Sequence, residues 1–165
     1  MTIIRAFENE SSANRITILG AGPGSSITGA TTETALALVT IPAGSMGTQG
    51  SLRITALFSY TNSANTKTMR IRFGTGGAAV AHITVAQTAT ATCTMVRQII
   101  NTTATTQISQ PVSSLLMGST SASVYPSSSI DTTVDQFVHI TGTLANGAES
   151  IQLAYYCVEL IPSVS

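Results

Sequence analysis

The stretch from residue 50 to residue 74 constrains the fold most, because it alternates almost without a break. In residues 52–60, Leu52, Ile54, Ala56, Phe58 and Tyr60 fall on one face, and Arg53, Thr55, Leu57 and Ser59 on the other. In residues 67–73, Met69, Ile71 and Phe73 oppose Thr68, Arg70 and Arg72. A period of two belongs to a strand with one face in a core. Between the two runs lies Thr61-Asn62-Ser63-Ala64-Asn65-Thr66, turn chemistry in which Asn and Ser side chains bond their own backbone. The pattern predicts an antiparallel hairpin with Tyr60 opposite Lys67. That register sets Arg72 opposite Thr55 and Arg70 opposite Leu57, and makes Arg53 a diagonal neighbour of Arg72. Arg53, Arg70 and Arg72 then form one outer patch, a site for a partner's carboxylate, which guanidinium forks hold through two parallel hydrogen bonds. The alternative is a solvated face, or neutralisation within the chain by Asp131, Asp135 or Glu149.

The rest of the chain gives more strands and no helix. Residues 1–15 hold Arg5, Glu8, Glu10 and Arg15 and read as an N-terminal arm. Met1 to Glu10 contains no apolar run of the kind a secretory leader needs. Residues 16–19 form a short strand that leads into Gly20-Ala21-Gly22-Pro23-Gly24. A strand followed by Gly-Ala-Gly resembles a dinucleotide-binding start. The β-branched, glycine-broken residues 27–32 cannot supply the helix that such a site needs, and no acid follows near residue 45. The segment therefore reads as a glycine turn. Residues 34–41 are apolar or threonine throughout, which predicts a strand buried on both faces. Residues 83–96 alternate for too long to be one strand, so a break is expected near Gln87. Thr84, Thr88, Thr90, Thr92 and Thr94 line one face there. An ice-binding array would need a fixed repeat, and none is present.

Residues 101–110 are polar and end at Pro111, and Leu115-Leu116-Met117 is a short apolar insertion. Residues 118–129 are Ser-rich with Pro126, a loop suited to variable contacts, with Tyr125 as its anchor. Residues 134–144 form a strand, Asn146-Gly147 signals a type I′ hairpin, and residues 150–161 form a last strand whose alternation slips as at a bulge. Eight to ten strands with turns every dozen residues make an all-β, antiparallel sandwich or barrel in one domain, residues 16–165.

Composition narrows the function. Only 8% of the 165 residues are charged, against about 25% in ordinary soluble domains. Seven acids balance seven bases, and Lys67 is the one lysine. So few cations do not suit counterion-driven binding to nucleic acid. No apolar run approaches the ~20 residues that span a bilayer. A hydroxyl-rich surface with near-zero net charge suits broad contacts between protein chains. Cys93 and Cys157 read as small apolar residues in strands, with a disulfide as the lesser reading. His82 and His139 sit within strand patterns and read as structural. Asp131, Asp135 and His139 would align only on a helix, which Thr132, Thr133, Val134, Val138 and Ile140 oppose. No nucleophile elbow, zinc spacing or calcium loop is present. The expectation is a non-enzyme with no catalytic residue, no metal and no cofactor.

Three stretches carry a family resemblance: residues 39–54, with Ile41-Pro42-Ala43-Gly44-Ser45-Met46-Gly47; residues 61–70; and Thr141-Gly142-Thr143-Leu144-Ala145-Asn146. Over about residues 33–160 the chain resembles surface proteins of tailed-bacteriophage virions, of the capsid-decoration or tail-fibre type. The resemblance implies a jelly-roll-like β-sandwich, a homotrimer, and a place on a virion assembled in the host cytoplasm. Its partners would be copies of itself and the major capsid protein or other virion proteins. A decoration protein would bridge coat subunits, with the charged N-terminal arm docking on the lattice. The alternative is a fibre or spike module that binds host glycans, which gains if Tyr60, Tyr125, Tyr155 or Tyr156 form an exposed stacking platform. A bacterial adhesion module is a third reading, disfavoured by the missing leader.

Overall fold

A computed structural model describes residues 15–110 and 124–163. Within them lie eleven strands: β1 (Thr17–Gly22), β2 (Ser26–Thr28), β3 (Thr34–Ile41), β4 (Ser51–Tyr60), β5 (Lys67–Phe73), β6 (Val80–Gln87), β7 (Thr92–Thr103), β8 (Thr106–Ser109), β9 (Ser127–Ser128), β10 (Gln136–Leu144) and β11 (Ser150–Ile161). A 3₁₀ turn, Gly76–Ala78, joins β5 to β6.

One sheet runs β1-β11-β4-β7-β8-β9, with β2 on the same side of β11 as a continuation of β1; the other runs β3-β10-β5-β6. All pairings are antiparallel. With β1 and β2 taken as one interrupted strand, and β8 and β9 as an added flange, eight strands remain. Their order is first–eighth–third–sixth in one sheet and second–seventh–fourth–fifth in the other. That is the double Greek key of a jelly roll, and the all-β sandwich is as the sequence predicts.

The core is the space between the sheets. Leu52, Ile54, Ala56 and Phe58 of β4 are buried, as the alternation requires, and so are Met69, Ile71 and Phe73 of β5 and Val138 and Ile140 of β10. The partnering differs from expectation. β4 and β5 do not form a hairpin: β4 pairs with β11 and β7, and β5 with β10 and β6. The six residues between them span the gap from one sheet to the other, a distance of about 10 Å that such a segment easily covers. Residues 145–149 likewise cross between β10 and β11, which lie in different sheets. Asn146 takes no positive φ; its Oδ1 instead accepts the Ala148 N–H at 3.0 Å.

Other differences follow from packing. β3 is buried on one face only: Leu36, Val39 and Ile41 point inward and Leu38 is exposed. β1 continues through Gly20-Ala21-Gly22 as strand instead of turning there. A Cβ at Gly20 would come within 3.0 Å of Val39 Cγ2, so the small residue lets β1 approach β3. β8 makes a strand of residues 106–109, within the polar run that ends at Pro111. The break near Gln87 is present, between β6 and β7. The bulge in the last strand is present too, between Leu153 and Tyr155. The expected arm (residues 1–14 of it) and the Leu115–Met117 insertion lie outside the described residues.

Candidate functional site

The structure separates the three arginines expected to act together. Arg53 lies on the outer face of the β1-β11-β4-β7 sheet, and Arg70 and Arg72 on the outer face of the β3-β10-β5-β6 sheet. The reason is the crossover: β4 and β5 share no edge, so residues on their outer faces point away from each other. The partner acids are Glu159 and Glu33, not Asp131, Asp135 or Glu149. Asp131 Oδ1 accepts the Thr133 N–H at 2.9 Å, Asp135 Oδ1 accepts the Ala43 N–H at 2.8 Å, and Glu149 faces Lys67 at 3.3 Å.

On the four-stranded sheet, Arg72 donates from Nε to Glu33 Oε1 at 2.8 Å and from Nη2 to Glu33 Oε2 at 3.0 Å. Arg70 Nη1 donates to Glu33 Oε2 at 3.2 Å, and Thr141 Oγ1 to Glu33 Oε1 at 2.7 Å. Partial burial alone would raise the Glu33 carboxyl. The bonds from Arg72 and Thr141 and the two guanidinium charges outweigh it and hold the group below its usual range. This is a carboxylate cradle filled by the chain's own acid.

The larger sheet presents a different surface. Strand pairing lays out its outer face row by row. Tyr155 of β11, Leu57 of β4 and Thr94 of β7 form one row; Ala21, Cys157, Thr55 and Val96 the next; Ile18, Glu159, Arg53 and Gln98 the third. Ile18 is 63% exposed, Val96 51%, Tyr155 43% and Leu57 37%. Arg53 closes on Glu159 with two parallel bonds, Nε to Oε2 and Nη2 to Oε1, each 2.6 Å. The hydrogen bond from Arg53 keeps the Glu159 carboxyl low and ionised, so the pair is internally neutral. These rows make a four-strand-wide face of aliphatic, aromatic and hydroxyl groups with no uncompensated charge. Tyr155, Leu57 and Val96 are neighbours on this face, with Ile18 beyond the Arg53–Glu159 pair, and clustered exposed apolar residues mark an interaction site more often than isolated ones do. The sequence held this signal only in Leu57, which breaks the polar alternation of β4. The other apolar residues come from three distant segments.

Tyr125 is exposed and forms one wall of an open apolar depression with Ile100, Ile108, Ser109 and Gln110. Tyr60 is buried, its hydroxyl donating to the Thr92 carbonyl at 2.9 Å, and Tyr156 is half-buried. Tyr155 and Tyr125 belong to opposite parts of the sheet, with β4 and β7 between β11 and the β8–β9 flange. Three strand spacings, roughly 14 Å, separate β11 from β8, and Tyr125 sits beside Ile100, six residues along β7 from the Thr94 that shares a row with Tyr155, so the two tyrosines make no common platform. Cys93 and Cys157 are free: Cys93 pairs with Phe58 on the inner face and Cys157 with Thr55 on the outer, so they point apart. Among the described residues no three His, Cys, Asp or Glu side chains converge as metal ligands, and no helix is long and apolar enough to cross a membrane.

No protein-family model matches the chain, and no curated protein matches it. Among solved structures it is similar to a chain in the structure of infectious bursal disease virus, Gx strain, at 14% identity and a TM-score of 0.30. The match covers 100% of this chain and 42% of that one, so this chain spans less than half its length. At that TM-score the likeness carries no weight for function, and the fold rests on strand order.

Proposed function

We propose that this chain is a non-enzymatic structural protein of a virion, a decoration protein that lies on the outer surface of a capsid and binds through the outer face of its larger sheet. The supporting observation is that face: four strands wide, apolar and hydroxyl-rich, its one cation and one anion neutralising each other. A sheet face whose charges neutralise each other is matched by another folded protein surface and poorly matched by nucleic acid or a charged ligand. The jelly-roll order is a scaffold that hosts capsid domains, lectins and cupins alike, so the fold does not choose among them. The glycan-binding reading needs clustered exposed aromatics, and the separation of Tyr125 from Tyr155 gives it no support.

Cryo-electron microscopy of particles from the source tests the proposal. Density for this chain on the capsid shell, with the β1-β11-β4-β7 sheet against a neighbouring subunit, is the expected result. Density in a tail or fibre would replace decoration with the fibre role. Particles that lack the chain altogether would end the virion reading.

A further inference from the structure

A run of buried polar side chains joins the two sheets beside the β8–β9 flange. It starts at a β-bulge in β6: Ile83 pairs with Ile71 and Ala81 with Arg72, leaving His82 unmatched, so that His82 and Ile83 both turn inward. His82 is fully buried. Its Nδ1 lies 3.1 Å from Ser109 Oγ of β8, and its Nε2 lies 3.2 Å from Ser128 Oγ of β9.

Proton bookkeeping fixes the direction of every bond. Ile130 clamps the Gln107 amide, its N–H donating to Oε1 at 3.0 Å and its carbonyl accepting from Nε2 at 2.9 Å. Gln107 Oε1 therefore also takes the Ser128 hydroxyl proton, at 2.9 Å. With that proton committed, Ser128 can only accept from His82, so the imidazole is the Nε2–H tautomer and its Nδ1 accepts from Ser109. The chain continues from Gln107 Nε2 to Asn101 Oδ1 at 3.1 Å and from Asn101 Nδ2 to Thr132 Oγ1 at 2.9 Å, ending at the Ala104 carbonyl at 2.7 Å. Every bond runs one way.

We propose that this relay is an acid-sensitive latch, which holds the β8–β9 flange against β6 while His82 is neutral and lets it go when Nδ1 takes a proton. Protonation turns the one acceptor on the ring into a donor and leaves the Ser109 hydroxyl proton without its acceptor. Among the described residues the charge that acts on the ring is another cation, and no acid acts on it. Arg97 of β7, also buried, acts on the ring as a cation, and Phe73 of β5 packs beside it at 6.4 Å between centroids. β6, β8 and β9 contain no other charged residue; Arg70 and Arg72 of β5 lie on the opposite face with Glu33, and Lys67 sits with Glu149. Burial, with Arg97 acting in the same direction, pushes the His82 ring down from 6.5 to about 4. A released ring has its ordinary value. Acid therefore favours the released state between pH 6.5 and about 4, by up to about tenfold per pH unit.

Hydrogen exchange of the whole chain, corrected for the intrinsic pH dependence, tests this. The expected result is that amides of Thr106–Ser109 and Ser127–Ser128 lose protection progressively as pH falls from 6.5 to 4, while β4 and β11 keep theirs. In His82→Gln, which puts an uncharged amide in the relay, flange protection should stop responding to pH. Nitrogen-15 spectra of the unsubstituted chain give a second readout independent of that variant's folding, and should show the Nε2–H tautomer at neutral pH. Flange protection that is flat down to pH 4, or lost only together with β4 and β11, would overturn the proposal. So would an Nδ1–H tautomer.

Discussion

At the scale of single residues, Lys67 departs furthest from what its chemistry leads one to expect. It is the one lysine of the chain, and it is buried, pointing inward at the start of β5. Its Nζ donates to Ser63 Oγ and to the Asn65 carbonyl at 2.8 Å, and faces Glu149 Oε2 at 3.3 Å. Glu149 accepts from Ser63 and from Asn65 Nδ2 at 2.9 Å, and those two bonds hold its carboxyl below the usual range. Ser63 and Asn65 lie on the β4–β5 crossover and Glu149 on the β10–β11 crossover, so one ion pair ties both connections together at one end of the sandwich. Removing one partner of a buried pair strands the other charge, which costs more than losing both. Lys67→Met should therefore lower Tm by more than about 5 °C, and Lys67→Met/Glu149→Gln should recover part of that loss in the same thermal melt. A double variant no better than the single would mean that the pair itself is not what holds the crossovers.

At the scale of elements, the approach to β4 is the tightest point in the backbone. Gly50 donates to the Met46 carbonyl at 2.9 Å, and its own carbonyl accepts the Asn101 N–H at 2.9 Å, so the turn is pinned to β7 as β4 begins. A Cβ at Gly50 would lie 2.1 Å from Met46 O and 3.0 Å from Ile161 O. Both are backbone atoms, which cannot swing away as a side chain could. Gly50→Ala should cost at least about 3 kcal/mol in urea unfolding. Gly77→Ala, where nothing lies within 4 Å, should stay within about 0.5 kcal/mol. Equal losses at both sites would refute the steric account. The strands themselves were legible where one face is buried: β4, β5 and β11 stand where the alternation put them, the last with its bulge. β3 was misjudged because Ala35 and Leu38 are apolar yet exposed on the outer face, so composition suggested burial that packing does not provide.

At the scale of the whole molecule, assembly should depend on the outer face of the larger sheet. Leu57 and Val96 are exposed and touch no core layer, so Leu57→Lys and Val96→Lys should each leave Tm within about 2 °C of the parent. Each should nevertheless reduce binding to particles at least about tenfold, because a lysine in a face without free charge must be desolvated unpaired. Co-sedimentation with particles that lack the chain reads this directly. Arg70→Ala, on the other sheet, should leave that binding intact, since its guanidinium serves Glu33. If Arg70→Ala abolished binding while Leu57→Lys did not, the docking face would be the smaller sheet.

The sequence alone determined that the alternating segments are strands and, in β4 and β5, which apolar face goes inside, because alternation is a local property of the backbone: successive side chains point to opposite faces whatever the strand's neighbours are. It also determined the uncharged character of the surface. It could not determine which strands lie side by side. Thr61-Asn62-Ser63-Ala64-Asn65-Thr66 and Asn146-Gly147 carry turn chemistry that serves a hairpin and a sheet-to-sheet crossover equally well, and the choice rests on burial summed over both sheets. That choice placed Arg53 away from Arg70 and Arg72, gave them Glu159 and Glu33 as partners, and gathered Ile18, Leu57, Val96 and Tyr155 into one face. Only the tertiary structure, by bringing β6 against β8 and β9, placed His82 between two serines.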